Sequence, residues 1–209
     1  MPNAPSLPPF SALDLLRAEI AAAAARMIAE EGADYGSAKR RAARMVLGDQ
    51  EQRDALPDNA LIEEEVRIYN ELFFADTQPA RLAHLRRLAL QVMEDLAQFS
   101  PYLTGAVLKG TAGAHSDIHL HLFTLSPKDV EIFLLNKNLR FEVSVGEPMK
   151  GRRGRETVEV LSFLLPQPDA DAEGVHLTLY HCDDLHAGVA KPGERADLPA
   201  VRRLLQETS

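Results

Sequence analysis

Tryptophan is absent from this sequence of 209 residues, cysteine occurs once, as Cys182, and aromatic residues make up only 6%. A lone thiol excludes an internal disulfide framework and any zinc site built from cysteines alone. No apolar run approaches the ~18 residues that a membrane-crossing helix needs, so no membrane partner is expected. Positive charge is in the minority, with 23 Lys and Arg against 31 Asp and Glu and a formal net charge of −8. That balance argues against a nucleic-acid partner, whose phosphates call for a basic surface. The start, Met1-Pro2-Asn3-Ala4-Pro5, carries no basic stretch followed by an apolar one. A secretory leader is therefore not expected, and the expected location is the cytoplasm. The Gly-x-Ser-x-Gly elbow of many serine hydrolases is missing, so hydrolase chemistry has no motif behind it. Lys109-Gly110-Thr111 echoes a P-loop without its Gly-x4-Gly-Lys-Ser/Thr spacing.

What is present is an ordinary globular composition, 45% hydrophobic and 26% charged. The pattern divides the chain. Residues 1–10, with four prolines and few anchors, are expected to be a disordered lead. Residues 11–78 form a helical region. Ser11 caps an Ala-rich helix that Gly32 ends, Ser37 to Leu47 makes a shorter basic one, and Asp58 or Asn59 caps a third with Ile62, Val66, Tyr69 and Phe73 as its stripe. Residues 79–209 begin with one more helix, whose inner face is Leu82, Leu85, Ala89, Val92 and Leu96. Strands are then predicted at Leu103–Lys109, Ile118–Thr124, Leu139–Val145, Thr157–Leu165 and Val175–Tyr180, with helices from Ser126 and from Leu198. The fold class expected is α+β, N-terminal helices followed by a mixed, mainly antiparallel sheet flanked by helices.

The chemistry is concentrated between Gly105 and Phe123. A strand ending at Gly110-Thr111 would let backbone approach a ligand, with the following amides pointing at phosphate oxygens. A second strand opens with Ser116-Asp117. On it Asp117, His119 and His121 stand two apart and share one face, while Ile118, Leu120 and Leu122 share the other. Lys109 stands where it could stabilise phosphate charge. His121 reads as a structural histidine, Cys182 as inert, and the Lys150–Arg155 loop and the Lys39–Arg44 cluster as solvated charge. Loop Lys150–Arg155 could also close over a triphosphate.

This stretch resembles the signature of the nucleotidyltransferase superfamily, the fold of DNA polymerase β. That signature is a Gly-Ser or Gly-Gly turn, about ten residues, then acid, apolar residue and acid on one strand. Here Gly110-Thr111 would stand in the turn, and Ser116-Asp117-Ile118-His119-Leu120 matches the Ser-Asp-Ile-Asp-Leu of small bacterial members at all but one position. The resemblance covers roughly residues 80–180. It implies a nucleoside triphosphate as substrate or ligand, cradled by Lys109, Gly110, Thr111 and Ser116, and a divalent metal, magnesium, manganese or zinc.

The second family acid is His119 in this chain. The third acid of the family lies on a later strand, and two positions compete for it, Glu159 and His176. Asp117, His119 and Glu159 would then do the catalysis, with Asp117, His119 and His176 as metal ligands. Magnesium takes oxygen ligands, whereas imidazole suits softer ions. Two readings stand side by side. One is transfer of a nucleotidyl group to an acceptor hydroxyl around a recast metal site. The other is a catalytically degenerate nucleotide-binding or protein-interaction module, with the N-terminal helices offering a partner surface.

Overall fold

A computed structural model describes residues 11–48, 53–146, 157–168, 171–187 and 193–207. The expected disordered lead and the Lys150–Arg155 loop lie outside the described residues. The chain divides into two compact units, Met1–Ala75 and Asp76–Ser209. Among the described residues, no helix is long and apolar enough to cross a membrane.

The first unit is helical because its caps and its small residues agree. Ser11 opens α1 (Ala12–Glu31) through a capping box in which its hydroxyl accepts from the Asp14 amide at 3.1 Å, and Gly32 closes it in the left-handed conformation. Asp34 and Asp58 cap α2 (Tyr35–Leu47) and α3 (Asn59–Phe73), each accepting from the amide three residues on at 2.8 Å. The start of α2 therefore precedes the expected Ser37. Alanines 21, 24 and 25 of α1, with Ile20, pack against Ala38 and Ala42 of α2 and Ile62 and Val66 of α3.

The second unit is built on a five-stranded sheet in the order β1 (Tyr102–Thr104), β2 (Ile118–Thr124), β5 (Glu173–His181), β4 (Val158–Leu165), β3 (Phe141–Gly146). Only β2 and β5 run parallel; the other neighbours are antiparallel. The class is α+β with a mixed, mainly antiparallel sheet. One sheet face carries Leu103, Ile118, Leu120, Leu122, Leu161, Val175, Leu177 and Leu179. They form one buried cluster with α4 (Gln78–Asp95), α6 (Pro127–Asn136) and α7 (Leu198–Glu207) through Leu85, Met93, Val130, Leu134 and Val201. The opposite face carries Thr104, His119, His121, Ser162, His176 and Thr178, set there by the period-two alternation of each strand.

The strand expected over Leu103–Lys109 is corrected. It stops at Thr104, because Gly105 turns into the left-handed region with φ of +69°, and Gly105–Lys109 form a single helical turn, α5. The carbonyl of Ala106 takes the amides of Gly110, Thr111 and Ala112. Three side chains of α4 hold the loop from below. Gln78 donates to the carbonyls of Gly110 and Ala112 at 3.0 and 2.9 Å, Arg81 to that of Gly113, and Arg86 to those of Val107 and Leu108.

The same Arg81 anchors β5. Its guanidinium pairs with both carboxylate oxygens of buried Glu173, at 2.7 Å through Nη2, and His84 approaches Glu173 at 3.3 Å. The hydrogen bonds from Arg81 hold the Glu173 carboxyl below its usual value, with the charges of Arg81 and His84 adding to them. A carboxyl lowered in the folded state stabilises above its unfolded pKa, and that contribution is lost as pH falls through the folded value. Glu173→Gln is therefore expected to cost about 1.5–3 kcal/mol at pH 7. In urea unfolding series, the gap from the parent protein should close as pH drops below the ordinary carboxylate range. A gap of constant size would remove the ion pair from the account.

Candidate functional site

The site grows from strand register. Because β2 and β5 are parallel, His119 lies beside His176 and Leu120 beside Leu177. The two imidazoles stack, with ring centroids 4.8 Å apart and planes 18° from parallel. Asp117, one residue before β2, reaches across, and its Oδ2 lies 3.1 Å from His176 Nε2. On the far side β4 sets Ser162 opposite His176, with Oγ 2.8 Å from Nδ1. Both nitrogens of His176 are thus engaged. An ionised carboxylate only accepts, so Nε2 is the nitrogen that donates to Asp117, and in the neutral ring Nδ1 is left to accept from the Ser162 hydroxyl.

The space for Asp117 comes from Gly174, the residue two before His176. A Cβ added there would lie 2.3 Å from Asp117 Oδ1, inside any real contact distance. Gly105, at the end of β1, faces the His119 side chain. Beside the row opens a cleft of about 580 Å³. It is lined by Asp117, Ser162, Gly174 and His176 together with Asn138–Glu142, Phe163, Leu164 and Pro166.

The imidazole of His119 is pushed below its ordinary value by burial, and the neighbouring His176 lowers it further. His121 is pushed down to about 4, first by burial, then by Arg195 and His119. A value near 4 leaves the His121 ring neutral at pH 7. His121 meets the Tyr180 ring edge-on at 5.0 Å, and Arg195 lies over Tyr102 and Phe123 at 5.1 and 5.3 Å. The structural reading of His121 fits this aromatic setting.

Asp117, His119 and His176 do come together. Glu159 does not join them. It pairs in register with Leu179, on the core-facing side of the sheet, and its charge is felt by Lys128 of α6. Gly110-Thr111, expected to cradle phosphate, does not line the cleft either. Thr111 is buried, the amides of 110–112 are spent on Ala106, and the Ser116 hydroxyl accepts from the Gly113 amide at 3.0 Å. Lys109 is exposed, and none of Lys109, Gly110, Thr111 and Ser116 lines the cleft. The turn that faces the histidines is at Gly105. Residues 107–116 separate Gly105-Ala106 from Asp117, ten in all, which is the spacing of the signature; only 112–116 separate Thr111 from it. That count was available in the sequence. Ser162 and Gly174 had no sequence signal, since their roles depend on register alone.

The donor set does not fit magnesium. Octahedral magnesium asks for several oxygens, and this face supplies one carboxylate. Nor do Asp117, His119 and His176 form a ready site for a softer ion. Among the described residues, the group of three whose ligand atoms all lie within 4.8 Å of one another is His181, Cys182 and Asp183, at the end of β5.

No family model and no curated protein matches the chain. Among solved structures, a mutant of the Cid1 poly(U) polymerase bound to MgATP is similar, with a TM-score of 0.36 and 15% identity. The similarity covers 59% of this chain and 39% of that one, so the chain spans well under half of the polymerase. Likeness at that distance leaves the function to be argued from the residues themselves.

Proposed function

We propose that the unit Asp76–Ser209 is a nucleotidyltransferase-like domain that binds a nucleoside triphosphate at the open sheet face, without the two-magnesium transfer reaction. The observation that supports it is the convergence of Asp117, His119 and His176 from two parallel strands, beside Gly105 and next to the 580 Å³ cleft. Arg140 on the cleft wall supplies a cation for phosphate oxygens. The transfer reaction needs carboxylates to hold two metal ions, and neither His119 nor the core-facing Glu159 provides one here.

The test mixes the full-length protein with each nucleoside triphosphate and follows thermal unfolding and pyrophosphate release in parallel. One nucleotide at 100 times its Kd should add about 2.7 kcal/mol of stability. Arg140→Glu should remove that gain, and pyrophosphate release should stay at background with magnesium. Stabilisation by no nucleotide would sink the reading. The protein-interaction alternative would then stand, favoured by Leu72 and Phe73 of α3, which are 70% and 64% exposed.

A further inference from the structure

Ser162, His176 and Asp117 form a continuous hydrogen-bonded row, 2.8 Å from Oγ to Nδ1 and 3.1 Å from Nε2 to Oδ2. Nucleotide binding does not call for such a row. Its members stand in the order of a nucleophile, a base and the group that orients the base. The proton on Nε2, fixed by the Asp117 carboxylate, leaves Nδ1 as the acceptor that faces the serine hydroxyl. Such an arrangement is recognised by geometry and roles rather than by a sequence motif, so the missing nucleophile elbow does not count against it. Ser162 is half-buried and lines the cleft, and Leu139, Phe141, Leu164 and Pro166 give the same cleft an apolar wall.

We propose that Ser162 is an activated nucleophile that accepts the acyl group of a small carboxylic ester, making the cleft an esterase site. Ser162 Oγ forms a bond to the ester carbonyl carbon while its proton passes to His176 Nδ1. The bond from that carbon to the alcohol oxygen breaks, and the alcohol leaves with the proton from Nδ1. Water then gives a proton to Nδ1 while its oxygen bonds to the acyl carbon; the bond from that carbon to Ser162 Oγ breaks, the proton on Nδ1 returns to Oγ, and the carboxylic acid leaves. Ser162 and His176 are the catalytic residues, and Asp117 is a positioning residue. The apolar lining takes the acyl chain, and Arg140, which lines the same cleft, is the cation for the carbonyl oxygen as it gains charge. The proposal does not rest on the nucleotide reading, and either can fail while the other stands.

The test uses the full-length protein with p-nitrophenyl butyrate as substrate and an alkyl fluorophosphonate as covalent probe. The expected result is hydrolysis above background and a single phosphonyl adduct, which peptide mass spectrometry places on Ser162. Ser162→Ala should lose the adduct and lower the rate by at least about 100-fold with its melting temperature kept. Asp117→Asn keeps the size of the side chain but can donate its amide N–H to Nε2, which puts the ring proton on Nδ1, so it should lower the rate at least about 100-fold with its melting temperature kept; a purely structural Asp117 would leave the rate of Asp117→Asn near that of the parent. The proposal is overturned by the absence of any adduct, by an adduct elsewhere, or by hydrolysis that survives Ser162→Ala.

Discussion

Leu120→Ala is expected to destabilise the sheet unit by about 2–5 kcal/mol, the cost of a cavity in a close-packed core. Leu120 is fully buried in the second strand of the sheet, with Leu103 opposite it on β1 and Leu177 on β5. Few neighbours could collapse into the space, because strands flank it on both sides and helices seal its face. His119, one residue earlier, points the other way. His119→Ala removes one ring stacking and should cost less than about 1 kcal/mol. Urea unfolding of the two variants therefore tests the assignment of faces directly. Equal midpoints would mean that both faces of β2 are packed core and that there is no open histidine face on which to place a site.

How much of this was legible depends on how local the determinants are. The alternation from Asp117 to Leu122 separates two faces without reference to any other strand, and β2 spans the predicted Ile118–Thr124. The helical caps at Ser11 and Asp58 are equally local, since each is one side chain and an amide three residues on. The run Leu103–Lys109 shows where local reading stops. A short apolar run suits a strand or a helical turn, and Gly105 with its positive φ decides for the turn. The choice between Glu159 and His176 was out of reach for a different reason. A slip of one residue in register exchanges the two faces of a strand. The register of β4 on β5 is set across the connection from Pro166 to Ala172, and it alone puts Ser162 beside His176 and turns Glu159 to the core. The pairing of β2 with β5 is similarly non-local, joining residues more than fifty positions apart.

Gly174→Ala should be the most damaging single methyl group in the site, and its cost should depend on Asp117. The added Cβ would meet Oδ1 at 2.3 Å and the carboxyl carbon at 2.5 Å, so either the carboxylate or the start of β5 has to move. Overpacking of this kind costs about 1–3 kcal/mol. Glu173 holds β5 to Arg81 at the very next residue, which resists a backbone shift and leaves the carboxylate as the part that yields. Rotation of Asp117 away from Gly174 breaks its contact with His176 and frees the proton position on that ring. The expected result is a stability loss in the parent background that largely vanishes in Asp117→Ala, where the clashing atoms are gone. In a double-mutant cycle this appears as a coupling energy of the order of 1 kcal/mol or more between residues 117 and 174. Additive effects in the cycle would mean that the methyl group strains the backbone rather than the carboxylate. Gly174 would then shape the strand but play no part in holding Asp117 to His176.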